Sequence, residues 1–372
     1  GRNFKDQEGK RLPQTPKPQD YTYISFKAED YRTMIDAGMN LFTIVPDQEQ
    51  WVRDEPVFYF CPEVRKPPLH YPADLYRPNF LGAGMFMDEP ASILTWDKYA
   101  GGLMSHFSDV AAVLEARTRA TFQSSDLYYG SHGLEKQLVE LGVNFGDMRL
   151  AQTELPVWET QYDRTFYLMK GGGSGIVHEG RYQLDDFNRQ VARFTGKDPH
   201  YTPQQMLQYY YAFLRGGATP FGKYWGTAIY GQCDPKLAPE AFTLAYDMGA
   251  RYFWFWTSDH GHHVPWVEQV ELARQLKQHA RQHPRPSIFA PSRKHDVAIA
   301  IPNGCFLTFG NLSGLRGIEQ DGKNAASQSY HRLMQHALQA VDDCFQRGQD
   351  FDITVADGRR IEGYKRIVKV ME

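Results

Sequence analysis

The chain has 372 residues with 41 Lys+Arg against 44 Asp+Glu, a formal charge of -3, and no basic block. That balance excludes an electrostatic nucleic-acid footprint, and no apolar run approaches the roughly 18 residues that a membrane span needs. Aromatic residues reach 14%, a hint of a carbohydrate partner because flat rings stack on sugar faces, although core packing accounts for most rings equally well.

Cys61, Cys233, Cys305 and Cys344 are scattered, with no CxxC and no ligand spacing, so neither a zinc knuckle nor a dense disulfide framework is expected. The polar start GRNFKDQEGKRLPQTPKPQD holds no hydrophobic signal core. The compartment stays open, and a periplasmic or extracellular place reached after signal removal is the preferred expectation.

In chain order, the Pro- and Lys-rich stretch over residues 1–20 has no periodicity and reads as an arm over the rest of the molecule or a disordered lead-in. Tyr21–Phe26 reads as a first strand, Ala28–Ala37 as a helix closed by Gly38, and Asn40–Val45 as a second strand. Together they make a βαβ unit. Pro56–Phe60 and Leu81–Asp88 follow as the third and fourth strands, then helices over Ser105–Phe122 and Leu134–Leu141, and a fifth strand at Leu155–Glu159. Thr160–Lys170 is a short helix, Ser174–Glu179 the sixth strand, Pro203–Arg215 a helix and Lys223–Tyr230 the seventh strand. Pro239–Met248 then leads to an eighth strand at Arg251–Thr257 and a closing helix at Trp266–His279.

Eight strand and helix pairs predict a (β/α)8 TIM barrel over residues 21–285. Pro284–Ser292 looks like a linker. Beyond it, strands at Asp296–Ile301, Phe351–Val355 and Arg366–Met371 and a helix at Ser327–Arg347 predict a partial doubly wound α/β module over residues 286–372. Two or three parallel strands cannot cover both their faces, so this module is expected to pack on the barrel or on a neighbouring subunit.

The most telling stretch is LGAGMFMDEPA, residues 81–91, in which an apolar strand stops at Asp88-Glu89-Pro90. Proline forbids further ladder pairing, so two carboxylates stand at a strand's carboxyl end, where barrels do their chemistry. A turn in which Asp and Pro are only turn formers fits the same triplet. The other strand ends add Asp47 and Glu49, Glu159, and Glu179. Glycosidic hydrolysis needs one protonated and one ionised carboxyl group. Glu89, sharing a strand side with Met85 and Met87, is the expected acid, since apolar surroundings raise a carboxyl pKa. Glu179, flanked by His178 and Arg181, is the expected partner and Glu159 the next choice; a structural salt bridge is the competing reading of each.

In WFWTSDHGHH, Trp256 is expected to floor a sugar subsite while Asp259 and His260 bond its hydroxyls. A metal at Asp259, His260, His262 and His263 is a weaker reading, because no HxH on the first strand completes such a centre, and a solvated loop is a third. Tyr224 and Trp225 are read as sugar platform or core. The triple glycine Gly171–Gly173 precedes a strand and lacks a following Lys-Ser/Thr, so it is not a phosphate loop. No GxSxG appears, and no cofactor is expected.

The stretches AEDYRTMIDAGMNLFTIV and MFMDEPA resemble the (β/α)8-barrel glycoside hydrolases, in which a DEP-like strand 4 carries the acid/base glutamate. The resemblance implies that role for Glu89 and a carbohydrate substrate. DVAIAIPNG and YHRLMQHALQAVDDCFQRGQDFDITVAD look like the start of the amidotransferase-like domain of family 42 β-galactosidases, which implies a homo-oligomer. Two departures stand out. Clan A enzymes place Asn before the acid glutamate where this chain has Asp88, and their strand-7 nucleophile has no counterpart in KYWGTAIYGQCD. An Asp-Glu pair also resembles substrate-assisted N-acetylhexosaminidases, which implies Asp88 orienting an acetamido group and Glu89 as acid. The third reading is a non-catalytic sugar-binding barrel.

Overall fold

The computed structural model describes residues 4–12, 20–61, 79–80, 87–88, 112, 115–116, 119, 156–256, 262–285, 295–304 and 325–371. Predicted features outside these residues include most of the Ser105–Phe122 helix, all of Leu134–Leu141, and Glu89, Asp259 and His260.

Five parallel strands form one ladder in chain order: β5 (Met87–Asp88), β6 (Val157–Glu159), β7 (Gly175–Gly180), β8 (Tyr224–Ile229) and β9 (Tyr252–Phe255). A second parallel pair joins β3 (Leu41–Thr43) to β4 (Phe58–Phe60), with Phe80 bridging to Tyr59. The segment GIVHEG of β7 is buried along its whole length, as expected of a parallel strand covered on both faces. Side chains alternate between the two faces. Val157, Ile176, Trp225 and Ile229 enter a large core shared with the helices. Trp158, Val177, Ala228 and Tyr230 enter a second core, which also takes Phe60 of β4 and, partly buried, Leu41, Tyr252, Trp254 and Trp256.

One inner core thus draws residues from the five-stranded ladder and from the β3–β4 pair. The fold is a mixed α/β arrangement of parallel strands and helices; among the described residues the pairings make ladders of five and two rather than a closed ring of eight. Close approach of β8 and β9 needs Gly226, where a Cβ would stand 2.1 Å from the Tyr252 carbonyl oxygen.

The first predicted strand is corrected. Only Tyr23–Ser25 (β2) is extended, and among the described residues it pairs antiparallel with Phe4–Asp6 (β1) of the arm, in the register Phe4↔Ser25 and Asp6↔Tyr23. The arm was expected to be aperiodic, and three residues are indeed too few to display a period. Its pairing is held by distant contacts: Asp6 accepts from the Trp266 N–H, and Lys5 pairs with Asp30.

Helices α1 (Ala28–Ala37), α2 (Thr165–Lys170), α3 (Leu184–Thr195), α4 (Pro203–Ala218), α5 (Ala238–Asp247) and α6 (Trp266–Gln282) accompany the strands. In α4, Thr202 Oγ1 accepts from the Gln205 N–H while Gln205 Oε1 accepts from the Thr202 N–H, and Pro203 occupies the first turn, so the sequence TPQQ sets its own start. The sequence reading lacked α3. Its Phe187, Val191 and Phe194 are buried at helical spacing.

Past residue 295, β10 (Val297–Pro302) lies between β11 (Phe351–Ala356) and β12 (Arg366–Lys369), all parallel, with helix α7 (Ala325–Gln346) alongside. Val297, Ile299, Leu333, Leu338 and Ile353 belong to the same core as the helix layer of the five-stranded ladder. Helix α4 lies directly on β11, close enough that a Cβ on Gly216 would stand 2.3 Å from the Ile353 carbonyl oxygen. At this seam Arg215, with its side chain 3% exposed, donates to Asp352 Oδ1 at 2.6 Å and Asp350 Oδ1 at 2.7 Å. His295 Nδ1 meets Asp350 Oδ2 at 2.6 Å, and Tyr364 donates to Asp352 at 2.7 Å.

Candidate active site

Glu179 is one residue from the end of β7, in register with Ala228 and Trp254. Those neighbours, and Val177 two residues before it, belong to the inner core, so the alternation of a strand puts Glu179 on the inner face. It is 4% exposed. Arg181 donates to its Oε2 at 2.5 Å while remaining 37% exposed itself, so the pair links the interior to solvent.

Tyr230, immediately after β8, completes the arrangement. Its Oη accepts from the Trp158 indole at 2.6 Å, and an indole N–H is a donor only. The phenol's own hydrogen is therefore free to point elsewhere, and it bonds to Glu179. Burial first, then the negative charge of Glu179, push the Tyr230 phenol far above its ordinary pKa, so Tyr230 keeps its proton. The Arg181 guanidinium also lies 4.9 Å from the centre of the Tyr230 ring. A carboxylate that accepts from a guanidinium and a phenol is favoured in its ionised form.

Around this carboxylate stands an aromatic wall. Tyr230 and Trp256 stack with centroids 5.8 Å apart and planes 11° apart. Trp158 meets Trp256 at 5.6 Å and, edge-on, Trp254 at 5.3 Å. His262 lies 5.2 Å from Tyr230.

The other carboxylate candidates fall elsewhere. Glu159 is wholly buried at the end of β6, in register with His178 rather than with Glu179, and so shares the outer face. Its Oε1 accepts from the Gln161 N–H at 3.1 Å and the Thr160 hydroxyl at 3.2 Å. His178 stacks on Tyr210 of α4 at 5.7 Å, and its Nδ1 lies 3.1 Å from Tyr182 Oη, which in turn bonds Thr227 at 2.7 Å. Burial pushes the His178 pKa down to about 3, against the opposing pull of a hydrogen bond to the Thr160 backbone, so the ring is neutral. Glu49 lies in the 3₁₀ turn Pro46–Trp51 beside Arg53, 3.6 Å away.

Two aromatic candidates also stand apart from Glu179. Trp225 faces the helices, 5.4 Å from Tyr211. Tyr224 opens β8 at the end opposite Tyr230 and carries the Arg251 guanidinium 4.5 Å above its ring. Asp88 is described as backbone alone, paired in register with Trp158. Of the expected residues, the structure brings together Glu179 and Trp256. Sequence reasoning missed Trp158, Trp254 and Tyr230 as parts of the site; the spacing of Trp254 and Trp256, two apart on a strand, was the available signal. Among the described residues no group of three or more His, Cys, Asp and Glu is arranged to hold a metal ion. His263, one of the alternative ligands, meets Asp6 at 3.0 Å.

No family model matches the chain. No curated protein matches it. A solved structure described as a GH5_18 from Bifidobacterium longum subsp. infantis is similar to this chain at 12% identity and a TM-score of 0.46, over 93% of this chain and 91% of that one. A likeness this distant says nothing of activity or substrate.

Proposed function

We propose that the chain is a glycoside hydrolase that cleaves a glycosidic bond of an oligo- or polysaccharide at the inner-face cluster around Glu179. The observation that carries this reading is a carboxylate held by Arg181 and Tyr230 beside the Trp158, Trp254 and Trp256 rings. Trp158 is wholly buried and backs the wall, while the partly exposed Trp254 and Trp256 offer flat faces. Such rings next to a fixed carboxylate suit a sugar whose anomeric carbon must be approached by negative charge.

In this reading Glu179 is the ionised member of the pair. Glu89, which follows the DEP logic of the sequence, supplies the proton to the leaving oxygen. A separation of ~5–5.5 Å between the two carboxyl groups makes Glu179 a nucleophile with retention, and ~6.5–9.5 Å makes it a base for water with inversion. A non-catalytic sugar-binding site is the second reading, favoured by the same Arg181 contact, since a carboxylate so engaged is also suited to accepting hydroxyl hydrogens.

A panel of p-nitrophenyl glycosides and natural oligosaccharides tests both. Hydrolysis that vanishes in Glu179→Gln and, for poor leaving groups, in Glu89→Gln supports the enzyme. Quenching of tryptophan fluorescence by oligosaccharides without any hydrolysis supports the binding site instead. Unchanged turnover in Glu179→Gln overturns the assignment.

A further inference from the structure

Besides the pairing with β2 and the Lys5–Asp30 contact, two side chains of residues 4–12, Asp6 and Arg11, make polar contacts with the two loops that carry the rim of the candidate site. Arg11 lies across the loop after β8: its Nη1 donates to the Gly231 carbonyl at 2.7 Å and also to the Cys233 carbonyl. The Cys233 N–H bonds the Tyr230 carbonyl at 3.0 Å, so Arg11 grips the turn that begins at Tyr230. The rest of the guanidinium is taken by Glu268 of α6, Nε to Oε2 at 2.9 Å and Nη2 to Oε1 at 2.6 Å.

Asp6 grips the other loop. It is 6% exposed, and its Oδ1 accepts from the Trp266 N–H at 2.8 Å and lies 3.0 Å from His263 Nε2. Its Oδ2 accepts from the Gly9 N–H at 2.7 Å. Tyr21 and Tyr23 pack on the His263 ring at 4.5 and 5.4 Å. The next residue back, His262, touches Tyr230, and its carbonyl accepts from the Gly231 N–H at 2.8 Å. The two gripped loops are thus already hydrogen-bonded to each other beside Tyr230.

Arm contacts of this kind are a costly way to gain stability alone. Burying charged groups offsets most of what their pairing yields, and apolar side chains of similar volume commonly do as well. What a forked guanidinium and a carboxylate accepting three bonds do better is fix positions. We propose that residues 4–12 are a strap that sets Tyr230 and His262 at the rim, with Arg11 and Asp6 as positioning residues for glycan binding. This rests on the reading of the Glu179 cluster as the glycan site.

Amide hydrogen exchange and p-nitrophenyl glycoside kinetics on the full chain, unmodified and as Arg11→Ala, Arg11→Lys and Glu268→Gln, test it. In Arg11→Ala the amides of Gly231–Asp234 and His262–Trp266 should exchange faster by roughly tenfold or more, with those of β10 unchanged. The kcat/KM should fall by roughly 10- to 100-fold, mostly through KM. Arg11→Lys should not rescue it, because one ammonium cannot span two carbonyls and a carboxylate. Glu268→Gln, which leaves Arg11 in place, should loosen the same amides to a smaller degree if Arg11→Ala does not fold. Unchanged rim exchange overturns the strap whatever the chain hydrolyses. Faster rim exchange with unchanged KM overturns the positioning role while leaving the glycosidase reading intact. If the unmodified chain turns over no glycoside, that reading fails separately and the exchange data alone decide the strap.

Discussion

The molecule holds two arginine–carboxylate clusters built from the same chemistry in opposite settings. At the seam between α4 and β11, Arg215 is sealed, its guanidinium shared between Asp350 and Asp352 and the remaining oxygens taken by His295 and Tyr364. At the inner face, Arg181 reaches solvent while Glu179 stays inside, and aromatic rings flank them. A cluster whose guanidinium is enclosed and whose four carboxylate oxygens each have a protein partner, as here even though Asp350 is 40% exposed, has little left to offer a ligand. One that joins a buried carboxylate to an exposed guanidinium beside flat rings is open on one side, and the difference separates a joint from a site without reference to residue type.

The sharpest way to break this contrast is Glu179→Gln. Turnover should fall by a factor on the order of 10³–10⁴, with a thermal midpoint close to the unmodified chain's in differential scanning fluorimetry. Arg215→Ala should do the reverse. It strands the buried Asp352 carboxylate, while Asp350 is 40% exposed and keeps its His295 contact. The fold should lose about 3 kcal/mol, read from urea denaturation, while molecules that remain folded keep their kcat. Comparable loss of stability in both variants would erase the distinction between joint and site.

Tyr230→Phe comes next in size. Removing the phenol deprives Glu179 of one donor and leaves the Trp158 N–H without its acceptor, costing roughly 1–3 kcal/mol in stability or activation free energy. The acid limb of the pH–kcat/KM profile should shift upward as Glu179 becomes easier to protonate. An unmoved acid limb would mean that the phenol does not act on Glu179.

The effect that is smallest near neutral pH tests the outer face. His178 has its pKa depressed to about 3 against 6.5 for the ordinary side chain. Between those values the unfolded chain binds a proton that the folded chain refuses, so stability is full above about pH 6.5 and declines as pH falls towards 3. The decline from this group is at most about 1.4 kcal/mol per pH unit, and in His178→Gln the slope of unfolding free energy against pH in that window should flatten. Asp350 adds to the acid loss only near the lower end: burial raises its pKa, but the His295 and Arg215 contacts outweigh that and hold it at about 2. That stability is present above the ordinary carboxylate range and is lost as pH falls through about 2.

Much of the ladder was legible because its strands are continuous β-rich runs bounded by glycine and loop residues: Ser174–Glu179 and Lys223–Tyr230 lie within a residue of β7 and β8. The same continuity hid the facing of the side chains. A strand buried on both faces shows no alternation of polarity, so only the neighbours His178 and Arg181 put Glu179 ahead of Glu159 in the sequence, and Trp225 stays open between sugar platform and core. The register, Glu159 beside His178 and Glu179 beside Ala228, separates the two carboxylates. The arm strand Phe4–Asp6 was illegible for a different reason: its pairing is justified by residues more than 250 positions away.

That separation bears on how the chain acquires its structure. Asp6 and His263 are 257 residues apart, as are Arg11 and Glu268. At a synthesis rate of roughly 5–20 residues per second the arm waits about 10–50 s before its partners exist. Contacts of such high order form after local ones, since loop closure must precede any gain from them. Formation of the rim is then a late event of folding, with α4 and its neighbours assembled ahead of it, and a refolding experiment that follows Tyr230 and Trp256 fluorescence should lag one that follows helix formation.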